Sequence, residues 1–410
     1  MIMIYLSLNK KVILYGFIFT FFSCFGQSFF IGLFNPSIRS ELNIGQGQFG
    51  TIYALATLCS SLLLIWFGKK IDEFRLFYYA LTVIILLFFS ALFFSFISNI
   101  YLLFLGIFFL RFSGQGLMIH TASTAISRFF DQSRGKALST IWFGLSTAEF
   151  MMPLLITFIL SLFSWRMVWQ GIGLLIILVL PLLIFSTIRN ISFESREENS
   201  NNLTGRKADL KIKDWTRKEV LFDFKFYIIT LTMQVMPMVA TGTFVYQTYI
   251  SESKNWGLYI FAQSFMAYSI VSLITLFFSG FLVDKFTSRK LIPFMNIPLI
   301  IALMVLTFLD HPYTAFIFLG LVGASNGLAN VLGSSTWAEL YGVRFIGSIK
   351  ALTTAIMVFS TALGTAIFGY LIDHGFTIEG IAFTCASYIL FVTILLLLFR
   401  KRFEPVVLSN

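Results

Sequence analysis

Twelve long apolar segments, separated by polar loops, dominate this sequence and limit what it can fold into. A helix needs about 20 apolar residues to cross the hydrocarbon core of a bilayer. Only 12% of the residues are charged, against about 25% in an average soluble domain. The sequence therefore predicts an all-α membrane protein with twelve transmembrane helices. We number them spans 1 to 12, at approximately 12–34, 48–68, 76–97, 101–127, 136–163, 166–188, 222–250, 256–282, 289–309, 313–337, 348–372 and 378–399.

Basic residues are distributed unevenly between the two sides that these spans define. The side that carries Lys10 and Lys11 holds 25 of the 29 Lys and Arg residues, the other side holds 3, and Arg111 lies inside span 4. Because cytoplasmic loops are enriched in Lys and Arg, both termini are predicted to be cytoplasmic. The net charge of +10 thus reflects membrane topology, and we expect no nucleic-acid partner. Three scattered cysteines indicate neither a disulfide framework nor a zinc site.

A polar stretch at 189–221 divides the chain into six spans on either side. It predicts a six-helix bundle at 1–188, a cytoplasmic linker at 189–221 and a second six-helix bundle at 222–410. Short matches recur at nearly constant offsets: Gly68 and Gly280 are 212 residues apart, as are Asp72 and Asp284, while "GQGLM" and "SNGLA" are 211 apart. These offsets favour a duplicated unit with parallel halves and a substrate site between them near the midplane.

These features together resemble the major facilitator superfamily. The resemblance rests on the G-x-x-x-D loop after spans 2 and 8, the R-x-x-G-x-G pattern of span 4 and the six-plus-six layout. Two shorter matches, "FSWRMVW" and "STWAELYG", resemble bacterial monocarboxylate-type porters. The family implies a cytoplasmic gate in which the loop carboxylates meet helix ends and basic partners. The matching residues here are Gly68, Asp72, Gly280, Asp284 and Arg289; the alternative for each carboxylate is a solvated turn.

Three ionisable side chains other than Tyr and Cys lie well inside the spans: Arg111, His120 and Glu149. Charges at this depth are rare and usually pair or function. Similar depths predict that Arg111 and Glu149 meet, either as a structural ion pair, as a proton-coupling group with its modulator, or with Arg111 anchoring an anionic substrate. Ideal α-helical geometry turns His120 away from Arg111. His120 is then either an interhelical hydrogen-bonding residue or a proton or substrate group.

Polar residues at helical spacing in spans 1, 4, 7 and 10 predict cavity faces, and the family lines its cavity with the same spans. Interhelical packing is an alternative for each residue. The candidates are Gln27, Gln115, Gln234, Thr241, Asn326, Asn330 and Trp337.

The function predicted from these observations is secondary transport of a small polar or anionic organic solute by alternating access, with proton coupling as a hypothesis. The chain carries no nucleotide-binding motif, and its three histidines are scattered, so we expect no enzyme, cofactor or metal. The expected partners are the solute, protons and the lipid of the cell (inner) membrane, and the expected state is a monomer. Two alternatives remain: a proton-driven exporter of amphipathic compounds and a non-transporting sensor on the same fold.

Overall fold

The structure is a computed structural model that describes residues 2–130, 134–189, 213–257, 259–342 and 344–399. Most of the predicted linker and the basic residues 400–402 lie outside these ranges. Within them, eleven helices are long and apolar enough to cross a membrane, and a bent pair of helices in span 1 supplies the twelfth. The prediction of twelve membrane helices is confirmed on this reading.

Eight spans are single helices, and four are built differently. Span 1 combines Ile2–Phe22, Ser23–Gly26, Ser28–Ile31, Gly32–Phe34 and Asn35–Leu42; span 4 combines Ile100–Leu110, Arg111–Met118 and Ile119–Phe129; span 7, Phe224–Val245, continues into Gln247–Ser253; and span 9 combines Ser288–Leu291, Ile292–Phe294 and Ile297–Phe308. The single helices are Gln46–Gly68, Leu76–Ser95, Arg134–Leu160, Trp165–Ile188, Ile260–Phe286, Thr314–Tyr341, Ile346–Asp373 and Ile378–Phe399.

Span 1 is broken midway along its length. Gln27 has an extended backbone (φ −85°, ψ 153°), and the arms Lys10–Gly26 and Ser28–Leu42 meet at 44°. A break of this kind frees backbone carbonyls, which in lipid must find partners within the protein. The break is therefore a place where span 1 can offer polar backbone groups to a neighbouring span or a ligand.

The two six-helix halves meet at one end of the bundle and separate towards the other. Seven of the eight buried residues of span 11 lie at 360–372, and eight of the nine in span 2 lie at 46–60. We call the end that carries residues 35–46 and 246–256 the closed end. The opposite end, which carries 68–76 and 284–291, is the open end.

The described part of the linker folds against the C-terminal half at the open end. Trp215 donates its backbone N–H to the carbonyl of Tyr341 at 2.9 Å, and the short helix Arg217–Leu221 begins with a capping box formed by Thr216 and Glu219. The Lys213 ammonium, together with hydrogen bonds from Thr216, lowers the pKa of Glu219 to about 2. The backbone bond to Tyr341 thus attaches the end of the linker to the end of span 10, and the cap stabilises the short helix that follows it.

Candidate functional site

The centre of the N-terminal half is built from two irregular segments that touch. Residues Arg111–Met118 of span 4 form a π-helix, which packs directly against the break in span 1. A Cβ atom on Gly26 would fall on the backbone of Leu110 and Gln115, so only glycine permits this approach. π-Helical turns inside α-helices frequently occur at functional sites, and broken helices at the midplane mark binding sites in transporters.

Arg111 lies at this contact and is almost fully buried, with 4% of its surface exposed. Its Nη1 donates to the carbonyl of Gly26 at 3.2 Å, and its guanidinium carbon lies 5.3 Å from the centre of the Tyr53 ring. The buried Nε has no hydrogen-bond partner. Among the described residues no carboxylate pairs with Arg111, so its charge is held by one carbonyl and one aromatic ring.

The predicted contact between Arg111 and Glu149 is wrong in this structure. Glu149 is half-buried and lies close enough to Cys24 and Tyr268 to interact with them electrostatically. Near it, Ser269 of span 8 donates its hydroxyl to the carbonyl of Ser146 of span 5 at 2.7 Å. Depth along a helix does not determine which neighbour a side chain faces. Glu149 therefore lies on span 5 within electrostatic range of span 1 in its own half and of span 8 in the other half.

His120 contacts span 2, and Arg111 contacts spans 1 and 2, so the two residues share one neighbouring helix. Its Nε2 lies 2.9 Å from the carbonyl of Gly68; because a carbonyl can only accept, Nε2 carries the proton. The prediction that the two residues face apart assumed α-helical rotation, whereas the intervening residues are π-helical and turn less per residue. His120 therefore donates a hydrogen bond to the last residue of span 2, about 15 residues along that helix from Tyr53.

Four predicted cavity residues have polar side chains that are buried or half-buried in the interior. Gln27 lies at the break of span 1 with 9% of its surface exposed, and Gln115 is half-buried in the π-helix. On span 7, Thr241 is buried, and the buried Oε1 of Gln234 has no hydrogen-bond partner. An unpaired acceptor at this depth is costly in lipid, so Gln234 remains a candidate for solute contact.

The predicted stripe on span 10 divides into three environments. Asn330 is exposed, whereas the Nδ2 of Asn326 donates to the Ser272 hydroxyl at 3.0 Å. Trp337 is buried, with 1% exposed, and stacks on Tyr341 with ring centres 6.0 Å apart. The assignment of Trp337 to the cavity is therefore wrong, because at the open end this face of span 10 forms the core of the C-terminal half.

At the open end, the two loops of the repeated motif differ. Asp72 forms an ion pair with Arg128 at the end of span 4. Asp284 is exposed and has no ion-pair partner among the described residues. In its place Glu339, which the sequence reading missed, accepts the backbone N–H groups of Ser288 at 2.8 Å and Arg289 at 3.2 Å. Within the described part of the chain, the hydrogen bonds and ion pairs named here keep both motifs attached to their own half in this state.

Comparisons with known proteins agree with this architecture. The family model described as Major Facilitator Superfamily matches residues 16–266 and again 236–409. No curated protein matches the sequence. A solved bacterial homolog of the human lysosomal transporter Spinster, inward-facing and occupied, is similar at 16% identity over 97% of both chains, with a TM-score of 0.72. In its unoccupied state the TM-score is 0.62, at 14% identity over 97% and 96% of the two chains.

The nucleoside transporter NupG is a further structural relative. It is 13% identical to this chain over 96% of this chain and 99% of its own, with a TM-score of 0.72. At such identities the likeness establishes the fold.

Proposed function

The chain belongs to the major facilitator superfamily, and on this premise we propose that it carries a small anionic organic solute by alternating access, as a proton symporter of the cell (inner) membrane. Membership makes it a secondary transporter and not an enzyme. The proposal concerns the anionic character of the solute, the coupling to a proton and the alternating-access cycle.

The observation that carries the proposal is the uncompensated charge of Arg111. A charged side chain at the centre of a bilayer costs about 2.5–3.5 kcal/mol on insertion scales, and such residues face a cavity or a partner. The guanidinium of Arg111 contacts one carbonyl, that of Gly26, and one aromatic ring, that of Tyr53. Its Nε has no hydrogen-bond partner. A carboxylate or phosphate group supplies the missing countercharge, and a guanidinium can bind either with two parallel hydrogen bonds.

The opening at one end supports the alternating-access part of the proposal. The halves join along spans 2 and 11 and along spans 5 and 8, and burial in spans 2, 8 and 11 is concentrated near the closed end. The excess of basic residues on the side of the open end assigns that end to the cytoplasm. On this assignment the structure is an inward-facing state.

Glu149 is the proposed proton-coupling group. It lies one helical turn from Ser146, where span 5 is hydrogen-bonded to span 8 of the other half, and it has no basic partner among the described residues. A carboxylate in that position changes the charge at the interface when it gains a proton. The charge change gives protonation a direct effect on which state of the transporter is favoured.

The test is counterflow in liposomes that contain the purified protein. Labelled monocarboxylates, dicarboxylates, amino acids, sugars, nucleosides and lipophilic cations are presented with and without a pH gradient. We expect a monocarboxylate to exchange, and to accumulate about tenfold per unit of pH gradient if one proton accompanies it. Outward movement of a lipophilic cation would favour the exporter instead, and exchange of uncharged solutes alone would contradict the role of Arg111. Failure of every solute to move would favour the sensor.

A further inference from the structure

The two halves are joined at the closed end by hydrogen bonds that cross from one half to the other. The carboxylate of Asp373, the last residue of span 11, accepts the backbone N–H groups of Gln46 at 2.9 Å and Gly47 at 2.7 Å. These amides are the first two of span 2, a helix of 23 residues. Asp373 therefore caps a helix that belongs to the other half. We call this contact the outer latch.

A second crossing contact lies directly beneath the outer latch. The hydroxyl of Tyr246, at the end of span 7, lies 2.8 Å from the carbonyl of Thr365 and 3.1 Å from that of Gln46. A Cβ atom on Gly50 would meet both this hydroxyl and the Thr365 carbonyl. Span 2 thus approaches the backbone of span 11 and the Tyr246 hydroxyl of span 7 so closely that a shift of any one of the three helices would disrupt these contacts.

The outer latch differs from the other crossing contacts in its charge. Asn35 donates to the Val245 carbonyl at 2.9 Å and Gln247 to the Phe29 carbonyl at 2.7 Å, and both of these bonds are neutral. Among the described hydrogen bonds that cross between the halves at this end, those of Asp373 are the ones that involve a charged side chain. A carboxylate at a helix N-terminus gains from the helix dipole, and charge-assisted hydrogen bonds are about twice as strong as neutral ones.

We propose that Asp373 is the residue that locks the closed end in this state, and that its bonds to span 2 break once in each transport cycle. This inference rests on the alternating access proposed above. Two other charged groups face this region, Arg39 of the N-terminal half and Glu252 of the C-terminal half, and Arg39 interacts electrostatically with both Asp373 and Glu252. Its guanidinium Nε is bonded to Asn35 at 2.7 Å within the same half, so it does not replace the bond that Asp373 makes across the interface.

The experiment measures the opening of the closed end directly, with no solute present. Spin labels are placed at Ser40 and Ser253, which are exposed on opposite halves at this end, in a background without the native cysteines. Their distance distribution is recorded by pulsed electron paramagnetic resonance. In Asp373→Asn, the ratio of the long-distance to the short-distance population should rise about tenfold, the effect of losing one charge-assisted hydrogen bond.

The matched control is Asp310→Asn. Asp310 is also an exposed carboxylate at the closed end, but its partner is Lys254, at 2.6 Å, within the C-terminal half. Its removal should leave the distribution unchanged. An unchanged distribution in Asp373→Asn, or an equal shift in both variants, would overturn the assignment. Neither result depends on whether any solute is transported, so failure of the proposed function remains distinguishable.

A steric variant tests the same contact without removing a charge. Gly50→Ala places a methyl group between spans 2, 7 and 11 and should also shift the distribution towards long distances. Gly171→Ala on span 6 is the control, because a Cβ atom there meets nothing within 4 Å. A closed end that tolerates Gly50→Ala without a shift would contradict the close approach on which the outer latch depends.

Discussion

Replacing Arg111 by methionine should leave the empty protein at least as stable as the wild type while abolishing binding of an anionic solute. Most buried cations behave in the opposite way, because their removal leaves an unpaired carboxylate behind. Arg111 has no carboxylate partner among the described residues, so its removal strands no opposite charge. Methionine is flexible and apolar and can fill most of the space that the guanidinium leaves.

The expected change in the free energy of unfolding of Arg111→Met follows from the contacts that Arg111 makes. Removing an uncompensated charge from the membrane interior recovers about 3 kcal/mol on insertion scales. The lost hydrogen bond to the Gly26 carbonyl at 3.2 Å and the ring contact with Tyr53 together cost about 2–3 kcal/mol. The net change in the free energy of unfolding is therefore between about zero and 1 kcal/mol in favour of the variant.

Lys254→Met is the matched comparison. The Lys254 side chain is 1% exposed and pairs with Asp310 at 2.6 Å and with Glu379 at 2.8 Å. Since Glu379 is 35% exposed, water partly screens the charge that is left behind, and removing its partner should cost about 1–2 kcal/mol. Thermal unfolding in detergent, followed by tryptophan fluorescence, compares the two variants, and an anionic solute is then added to each. Arg111→Met as unstable as Lys254→Met, or still stabilised by the solute, would refute this reasoning.

Three further predictions concern protons, the gate and the linker. Glu149→Gln should reduce solute accumulation in a one-unit pH gradient from about tenfold to about one, with counterflow retained; loss of both would indicate a structural role. Asp284→Asn should lower the transport rate severalfold at unchanged membrane insertion, because the carboxylate acts only when the open end closes; unchanged uptake would contradict this. Glu219 stabilises its helix cap fully above its ordinary pKa of 4.5, and this contribution should disappear as pH falls through about 2. The difference in unfolding temperature between wild type and Glu219→Gln measures it, and a constant difference across that range would contradict the cap.

The sequence predicted the twelve spans because hydrophobic length alone determines which segments can cross a bilayer. It also identified Arg111 as exceptional, since any charge at that depth is unusual. It did not predict the neighbours of Arg111. The orientation of Arg111 depends on the π-helix of span 4 and on the break at Gln27. The pattern of hydrophobic side chains predicts neither of these backbone irregularities.

Helical periodicity predicts which residues share a face of a helix, but not what that face contacts, as Trp337 shows. Spacing places Asn330 and Trp337 on a common stripe, but a helix of 28 residues passes from one environment to another along its length. At the open end that stripe meets Tyr341 instead of a cavity. Asp373 was overlooked for a related reason: at the sequence level it is a polar residue in a loop, and its partners are backbone amides more than 320 residues away.

The central claim is that Arg111 holds the charged group of the transported solute, and a pair of solutes that differ only in charge tests it most directly. A carboxylic acid that exchanges in counterflow is compared with its primary amide, in the wild type and in Arg111→Gln. The account predicts that the wild type exchanges the acid at least about tenfold faster than the amide, the effect of one charge-assisted hydrogen bond, and that Arg111→Gln loses this preference. Equal exchange of acid and amide by the wild type, or a preference that survives in Arg111→Gln, would contradict it.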